Sequence, residues 1–221
     1  MKEYERVGHM ELVSRTAEPG ELVYYIPHHC VTKKFRVVFD ASCRTDKGIS
    51  LNEVQLLGEK LQRDLAEIVL GFRRHKIGII GDIKMMFRQV RIVQRQWNLQ
   101  RIFWRDSTND PIGEYWLKVV TYGMTSSTFN AVRAVIQCAR DAAKDHSDAS
   151  KVIENDLYMD DCATGSRNES EAIRLAKDID HILKGGGFEM KKWKSNSKRL
   201  VEEMRSVEEE PLFMFVDEEK A

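Results

Sequence analysis

The 221-residue chain lacks the features typical of secreted, membrane-spanning and zinc-binding proteins. Its four cysteines are far apart and form no C-x-x-C pair, so we expect reduced thiols rather than a zinc site or a disulfide framework. Its apolar stretches, such as 77–80, are much shorter than the ~18 residues that a membrane-spanning helix needs. The charged residues 1–6 have no apolar segment behind them, which predicts no secretory signal and an intracellular location, cytoplasmic or nuclear.

The composition is that of a globular protein with a sizeable core. With 42% hydrophobic and 32% charged residues, disorder, collagen and a coiled coil are poor explanations of the chain. The net charge is zero, but residues 201–221 carry eight acidic and two basic side chains. The rest of the chain has 33 basic and 27 acidic residues, a net charge of +6, which is compatible with a polyanionic partner.

The apolar pattern of the first half of the chain predicts a mixture of strands and helices. β-Branched and aromatic residues between turn signals are typical of strands, whereas apolar residues at helical spacing are typical of amphipathic helices. A glycine-interrupted apolar run that reaches Asp82 indicates a buried strand with a charge at its end. We expect a short helix and a turn over 1–20, paired strands at 22–26 and 31–39, one or two helices over 52–74, a strand at 77–83, and a hairpin from 98–104 and 114–120.

The second half continues the same alternation. A serine at 126 or 127 suits a helix N-cap, and the three glycines at 185–187 suit a helix stop. Short apolar segments on either side of Tyr-Met-Asp-Asp predict two strands joined by a tight turn. We expect helices over 126–144 and 169–183, strands at 152–157 and 162–165, a basic segment at 184–199, and a loose acidic tail after it.

Three carboxylates interrupt apolar segments and are the first candidates for chemistry. Asp82 ends a predicted buried strand, and Asp160 and Asp161 occupy the predicted hairpin tip. Like charges brought together away from water repel one another unless a cation joins them. Magnesium prefers carboxylate oxygens, and two such ions about 3.5–4 Å apart can activate a hydroxyl and stabilise a leaving pyrophosphate. The pattern therefore suggests nucleotidyl transfer.

Each of these residues also has a plainer explanation. Aspartate favours turns because its side chain bonds to its own backbone, so Asp160 and Asp161 would suit a solvated turn. Asp82 would suit the N-cap of a following helix. The residue types alone leave both explanations open, and what favours the chemical one is the order of the sequence blocks around them.

These blocks run in a fixed order along the chain. They are YIPHH at 25–29, FRVVFDAS at 35–42, SLN at 50–52, GDIKMMFRQV at 81–90, LQRIFWR at 99–105, TYG at 121–123, YMDD at 158–161, GGF at 186–188 and KWKSN at 192–196. With them, the chain resembles the reverse transcriptases of Pao/BEL-type LTR retrotransposons from about residue 22 to residue 200. The group assignment depends on the IPHH, RVVFDAS and KWKSN blocks.

The resemblance implies an α+β fold of the right-hand polymerase type. It would have a palm, built from an antiparallel sheet with helices on one face, and fingers, but no full thumb. The implied domains are mostly fingers over 1–80, palm at 81–87 with the first carboxylate, a fingers hairpin at 88–122, palm at 123–200, and an acidic tail or truncated thumb at 201–221.

The resemblance implies an RNA-directed and DNA-directed DNA polymerase that adds dNTPs to a primer 3′-OH by two-metal nucleotidyl transfer. Its cofactor would be two Mg²⁺ ions, with Mn²⁺ as a substitute, and its partners an RNA template, a DNA primer and dNTPs, with no membrane. The parent would be a polyprotein with protease, RNase H and integrase regions, located in cytoplasmic virus-like particles or in the nucleus. The alternative is an inactive or domesticated remnant that folds and binds nucleic acid without polymerising.

Individual roles follow from the same resemblance. Asp82, Asp160 and Asp161 would be catalytic and would hold the metal ions, with the backbone carbonyl of Ile83 as a further ligand. The implied nucleotide-binding residues are Lys33, Lys34, Arg36, Phe87, Tyr122 and Gly123, the implied general acid is one of Lys191, Lys192 and Lys194, and the implied primer or template contacts are Tyr158, Met159 and Trp193.

The chemistry of several assigned residues suits these roles. The guanidinium of Arg36 matches phosphate oxygens, the ring of Phe87 would clash with a ribose 2′-OH, and Gly123 allows close backbone approach. The plainer alternatives are a solvated strand edge for Arg36, a core position for Phe87 and an ordinary turn at Gly123. For the three lysines, the alternative is a basic solvated face.

Overall fold

Two antiparallel sheets, a β-hairpin and seven helices make up the described part of the chain, which is residues 1–32 and 36–205 together with the backbone of 212–213 in a computed structural model. The larger sheet also contains one parallel strand pair, between its last two strands. The elements in chain order are α1 (Lys2–Arg6), β1 (Met10–Leu12), β2 (His28–Val31), β3 (Arg36–Phe39), α2 (Leu65–Phe72), β4 (Ile77–Ile83), α3 (Met86–Gln89), β5 (Arg101–Trp104), β6 (Gly113–Leu117), α4 (Ser127–Ala142), α5 (Ser147–Asn155), β7 (Leu157–Tyr158), β8 (Asp161–Ser166), α6 (Glu169–Gly185), β9 (Met190–Ser195), α7 (Lys198–Met204) and β10 (Leu212–Phe213), with 3₁₀ turns at Asn52–Val54 and Gln94–Gln100.

Two structural units interleave along the chain. The first unit contains residues 1–59 and 87–131, and the second contains 60–86 and the described residues from 132 onwards. The division into fingers and palm at the boundaries expected from the sequence stays a prediction. All four cysteines are free thiols. Within the described residues, no helix combines the length and the apolar character that crossing a membrane would require.

The first unit is built around a three-stranded antiparallel sheet in the order β1-β6-β5 and a separate β2-β3 hairpin. Its buried side chains form one cluster that includes Met10, Ile26, Phe39, Ile102 and Leu117. Apolar side chains from the sheet, the hairpin and the segment before it therefore share one core, which burial of their surface stabilises.

The predicted strand at 22–26 is wrong. The hairpin pairs His28 with Phe39 and Val31 with Arg36, so its first strand begins after Pro27. Residues 24–26 instead follow the start of β5, where Ile26 N–H donates to the carbonyl of Arg101. Proline has no N–H to donate to a ladder, so Pro27 suits a position between these two pairings. Strand β1 and the 3₁₀ turn before β5 were not predicted.

The predicted helix or helices over 52–74 are wrong for most of that range. Only the 3₁₀ turn at Asn52–Val54 and the eight-residue α2 form, and residues 55–64 lie outside any helix. The apolar side chains between them are not on a packed face, since Leu56 is 88% exposed and Leu57 is 69% exposed. Helical spacing stabilises a helix only when the apolar face is buried, and here it is not.

The second unit contains a five-stranded sheet in the order β10-β9-β4-β8-β7. Strand β4 is central, with β8 and β9 antiparallel on its two sides. Ile79 and Ile83 of this strand are fully buried, and so are Ala176 and Ile179 of α6. The prediction of a buried strand at 77–83 is confirmed, as are the tight hairpin around 158–161 and the helices α4 and α6.

Two segments of the second unit differ from the prediction. The predicted strand at 152–157 is mostly the end of α5, in which Ala149 and Ile153 are buried four residues apart, close to the helical period. The basic segment at 184–199, for which the sequence predicts no helix or strand, contains the end of α6, all of β9 and the start of α7.

Two polar side chains attach the end of β9 to β4. Ser195 Oγ donates to the carbonyl of Gly78 at 2.6 Å, and the Asn196 side chain accepts from the N–H of Gly78 and donates to the carbonyl of Lys76, both at 2.9 Å. These bonds satisfy backbone groups of the central strand at the end opposite Asp82.

Gly165 lies opposite Gly78 in the β4-β8 pair, where the two strands approach closely. A Cβ atom at this position would lie 2.2 Å from the carbonyl oxygen of Ile77 and 2.6 Å from Cβ of His75. We expect Gly165→Ala to lower the free energy of unfolding by about 1–3 kcal/mol, because backbone must move to admit the methyl group. Urea denaturation would measure the change.

Gly71→Ala is the matched control. It makes the same substitution in α2, where an added Cβ meets nothing within 4 Å, so the helix should be unchanged or more stable by up to about 1 kcal/mol. Equal urea midpoints for the two variants would contradict the close approach at Gly165.

Candidate active site

The end of β4 and the tip of the β7-β8 hairpin bring the three predicted carboxylates into one place. Asp82 pairs with Asp161 in the β4-β8 register, and the N–H of Ile83 donates to the carbonyl of Asp160 at 2.7 Å. Met159, the first residue of the two-residue turn, has a φ of 56°, a left-handed conformation that tight hairpin turns use. The hairpin therefore presents its two aspartates beside the central strand.

Strand β9 adds a cation to this group from the other side of β4. Lys192 Nζ donates to Asp82 Oδ2 at 2.9 Å. The β4-β9 register shifts between Ile80 and Asp82, so that Lys192 and Trp193 together lie opposite Gly81. Such a bulge redirects a side chain, and Lys192 itself has a left-handed φ of 52°. The bulge is therefore the local reason that an ammonium group reaches Asp82.

The pKa of Asp161 reflects both its partial burial and the neighbouring charges. Partial burial, followed by repulsion from Asp160 and Asp82, raises the pKa of Asp161 above its ordinary value of 3.8, and Lys192 opposes this rise. The hydrogen bond to Asp82 raises the pKa of Lys192. Asp160 and Asp82 are thus close enough to Asp161 to disfavour its charged form, and Lys192 offsets part of that cost.

The three candidate lysines differ in their contacts. Lys191 forms an ion pair with Glu189 at 3.1 Å, and Lys84 contacts the same carboxylate, which lowers the pKa of Glu189. The charge of Lys194 lowers the pKa of Asp161. Lys192 donates a hydrogen bond to the predicted catalytic carboxylate of Asp82, so the structure favours Lys192 among the candidates.

The predicted primer or template contacts occupy different environments. Tyr158 is 39% exposed at the hairpin, next to the half-buried Met159. Trp193 is only 6% exposed, and its ring lies against Gly81 in the core of the sheet. Contact of these residues with nucleic acid stays a prediction, and the buried position of Trp193 does not favour it.

The donor chemistry of the carboxylate group fits magnesium. Asp82, Asp160 and Asp161 offer only hard oxygen ligands, and their mutual repulsion is of the kind that a divalent cation relieves. As the side chains stand, however, no set of three or more histidine, cysteine, aspartate or glutamate residues within the described residues is arranged to hold a metal ion. Two Mg²⁺ ions, or Mn²⁺ in their place, therefore stay a proposal.

The nucleotide-binding candidates belong to the first unit. Arg36 is exposed at the start of β3, Phe87 is half-buried in α3, and Lys33 and Lys34 lie outside the described residues. Gly123 has a φ of 90°, and a Cβ atom there would lie 2.5 Å from the carbonyl oxygen of Phe39. Only glycine fits this turn, for a reason that lies within the chain itself, and approach of Gly123 to a nucleotide stays a prediction.

Asn52 is a residue whose contribution the sequence reasoning missed. Its side-chain amide donates to the carbonyl of Gly123 at 3.0 Å, and its side-chain oxygen accepts from the N–H of Thr125 at 2.9 Å. These bonds hold the turn that carries Tyr122 and Gly123. The only signal in the sequence was the membership of Asn52 in the SLN block at 50–52.

Comparison with known proteins gives the fold. No protein-family model and no curated protein matches the chain. A solved structure of the foamy viral protease-reverse transcriptase dRH in complex with ds DNA is 18% identical, with a TM-score of 0.63 over 85% of this chain and 28% of that one. A Prototype Foamy Virus protease-reverse transcriptase CSH mutant is 14% identical, with a TM-score of 0.62 over 86% of this chain and 22% of that one.

The chain therefore has a reverse transcriptase-like fold, and the predicted α+β fold class is confirmed. It spans less than a third of the length of either matched chain. Assignment to the Pao/BEL group stays a prediction.

The raised pKa of Asp161 predicts how the stability of the protein depends on pH. Because the folded chain binds this proton more tightly than the unfolded chain, the stability it contributes is present below pH 3.8 and is lost as the pH rises through the raised value. We expect Asp161→Asn to raise the unfolding temperature at pH 7 by about 1–2 °C, allowing for solvent screening, and by less at pH 3. Thermal unfolding followed by circular dichroism measures both.

Asp46→Asn is the control for this substitution. Asp46 is exposed in the turn after β3, so the same loss of charge there should leave the unfolding temperature unchanged at both pH values. A lower unfolding temperature for Asp161→Asn at pH 7 would contradict net repulsion in the carboxylate group.

Proposed function

We propose that the chain is the catalytic core of an RNA-directed and DNA-directed DNA polymerase from a Pao/BEL-type retrotransposon. The observation that carries this proposal is the meeting of Asp82, Asp160 and Asp161 at the end of a central strand, within a reverse transcriptase-like fold. In the reaction, the primer 3′ oxygen would attack the α-phosphorus of a dNTP, forming a phosphodiester bond and releasing pyrophosphate.

The three aspartates, with the backbone carbonyl of Ile83, are the residues that would hold two Mg²⁺ ions. When bound, such ions lower the pKa of the attacking hydroxyl and neutralise the charge that develops on the pyrophosphate. Positioning of the carboxylates is the contribution of the chain itself, because β4 and the hairpin are joined by a continuous antiparallel ladder from Ile77 to Asp82.

Lys192 is the general acid in this proposal. Its ammonium group has three protons to donate and already lies at the carboxylate group, 2.9 Å from Asp82. It would give a proton to the departing pyrophosphate, whose charge rises as the bond to the α-phosphorus breaks. Lys191 is less suited, because its ammonium group pairs with Glu189.

Arg36, Phe87, Tyr122 and Gly123, together with Lys33 and Lys34, are proposed to bind the dNTP. The proposed partners are an RNA template and a DNA primer. The chain spans only a part of the matched structures, and we propose that it belongs to a parent polyprotein with protease, RNase H and integrase regions. The proposed location is in cytoplasmic virus-like particles or the nucleus.

A second candidate is a remnant that folds and binds nucleic acid without polymerising. The observation that favours it is that, as the side chains of the described residues stand, the carboxylates are not arranged as a metal site. The two candidates differ in one measurable property, which is primer extension.

Extension of a DNA primer on an RNA template, in Mg²⁺ and separately in Mn²⁺, tests the proposal. We expect metal-dependent extension by the wild-type chain and a loss of at least about a hundredfold in Asp160→Asn, because several kcal/mol of metal-derived stabilisation would disappear. Asp46→Asn is the matched control and should extend normally. No extension by a folded wild-type chain in either metal would favour the remnant.

Single-turnover rates of Lys192→Met, Lys191→Met and Lys194→Met test the choice of general acid. Loss of a general acid typically costs 10²–10⁴-fold, so we expect the rate of Lys192→Met to fall by about a hundredfold. In the wild type, deprotonation of the lysine should make the rate fall at alkaline pH, and in Lys192→Met this fall should be absent. A larger fall in Lys191→Met or Lys194→Met would assign the role to that residue instead.

A further inference from the structure

Arg88 is a buried cation in the first unit to which the proposed function gives no role. The side chain is 2% exposed, although it follows directly after the nucleotide-binding candidate Phe87 in α3. Its NH1 group donates to Thr121 Oγ1 at 3.3 Å, while Nε and NH2 find no hydrogen-bond partner among the described residues. A buried guanidinium with unused donors is uncommon in a folded protein and calls for an explanation.

Aromatic rings surround this guanidinium. Its central carbon lies 4.3 Å from the ring centre of Tyr4, 5.1 Å from that of Phe39 and 5.1 Å from that of Tyr122. Such contacts attract a cation to the negative faces of the rings, and the attraction is stronger when the pair is shielded from water. We call Tyr4, Phe39, Tyr122 and Arg88 the aromatic cage.

No carboxylate among the described residues forms an ion pair with Arg88, and the tyrosines do not neutralise it either. Burial, with the hydrogen bond from Tyr4, raises the pKa of Tyr122 to about 12, so its hydroxyl is neutral at physiological pH. The positive charge therefore lies among ring faces and hydroxyl groups, with no carboxylate partner among the described residues. An apolar residue would fill the same space without the cost of burying a charge, so filling space does not explain the arginine.

The cage joins the elements that carry the nucleotide-binding candidates. Phe39 ends β3, which begins at Arg36, and Arg88 follows Phe87 in α3. Tyr122 precedes Gly123, whose Cα faces the carbonyl of Phe39 so closely that no side chain fits.

Hydrogen bonds also connect the residues of the aromatic cage to one another and to β3. Tyr122 Oη donates to the carbonyl of Val37 at 2.7 Å, and the hydroxyls of Tyr4 and Tyr122 lie 3.0 Å apart. The rings of Phe39 and Tyr122 also form an edge-to-face contact, with their centres 5.5 Å apart. A strand, a helix and a turn therefore share a single fixed point at Arg88.

We propose that Arg88 is a positioning residue for nucleotide binding, which acts by fixing the Tyr122–Gly123 turn, α3 and the end of β3 relative to one another. Tyr4, which lies outside the sequence blocks at 25–196, completes the cage from the N-terminal helix. This inference rests on the proposed polymerase function. It goes further by giving a role to Arg88 and Tyr4, two residues of the first unit.

Steady-state primer extension with varied dNTP concentration tests the proposal. In Arg88→Met we expect KM for the dNTP to rise about tenfold and kcat to change by less than about twofold, because the bound nucleotide loses a preformed site while the carboxylates are untouched. Arg88→Lys keeps a cation among the rings and should recover part of the KM. Tyr4→Leu should raise KM in the same direction, and Tyr4→Phe should raise it less.

Arg95→Met is the matched control, since Arg95 is exposed in the 3₁₀ turn before β5, and its KM should equal that of the wild type.

Urea denaturation of every variant establishes that it is folded. If Arg88→Met does not fold, Arg88→Lys and the two Tyr4 variants decide the question. An unchanged KM in the folded cage variants, or a fall in kcat alone, would overturn the positioning role while leaving the polymerase intact. A folded wild-type chain without extension in Mg²⁺ or Mn²⁺ would overturn the proposed function, and the positioning role with it.

Discussion

Repulsion among three carboxylates at the end of a central strand is the constraint on which the second unit depends. A charged group can be held at such a place only if the surrounding backbone is firmly paired, and β4 is bonded on both sides, to β8 and to β9. The close approach at Gly165 and the bonds from Ser195 and Asn196 fix the opposite end of the strand. Burial of the apolar side chains of β4 thus offsets the free-energy cost of grouping the carboxylates at its end.

The same constraint explains why a lysine bends out of its strand. A regular β9 would place one residue opposite Gly81, whereas the bulge places two there and lets Lys192 reach Asp82 while Trp193 stays buried. A left-handed backbone at a lysine is unfavourable, and the ion pair formed by that residue is the gain that accompanies it. The strained backbone of Lys192 is therefore what lets its ammonium group compensate the charge of Asp82.

Much of the second unit could be predicted from the sequence because its signals are local. The apolar run of β4, the Tyr-Met-Asp-Asp turn and the period of α6 each lie within one short segment. The failures occurred where distant partners decide the structure. Residues 24–26 follow the start of β5 rather than the next strand, and Leu57, which has helical spacing, is largely exposed. The three carboxylates were predicted from sequence blocks, whereas the aromatic cage joins residues 4, 39, 88 and 122, a juxtaposition that no local pattern contains.

The bulge in β9 also limits which changes in chain length this protein can accept. Successive residues of a strand face opposite sides, so removing one residue between Gly187 and Trp193 would turn the tryptophan toward water and an adjacent lysine toward the core. The exposed loop at 106–112 has no such coupling, because β5 and β6 stay paired whatever its length. Among natural variants of this chain, insertions and deletions should therefore accumulate in that loop and be missing from the five residues between Gly187 and Trp193.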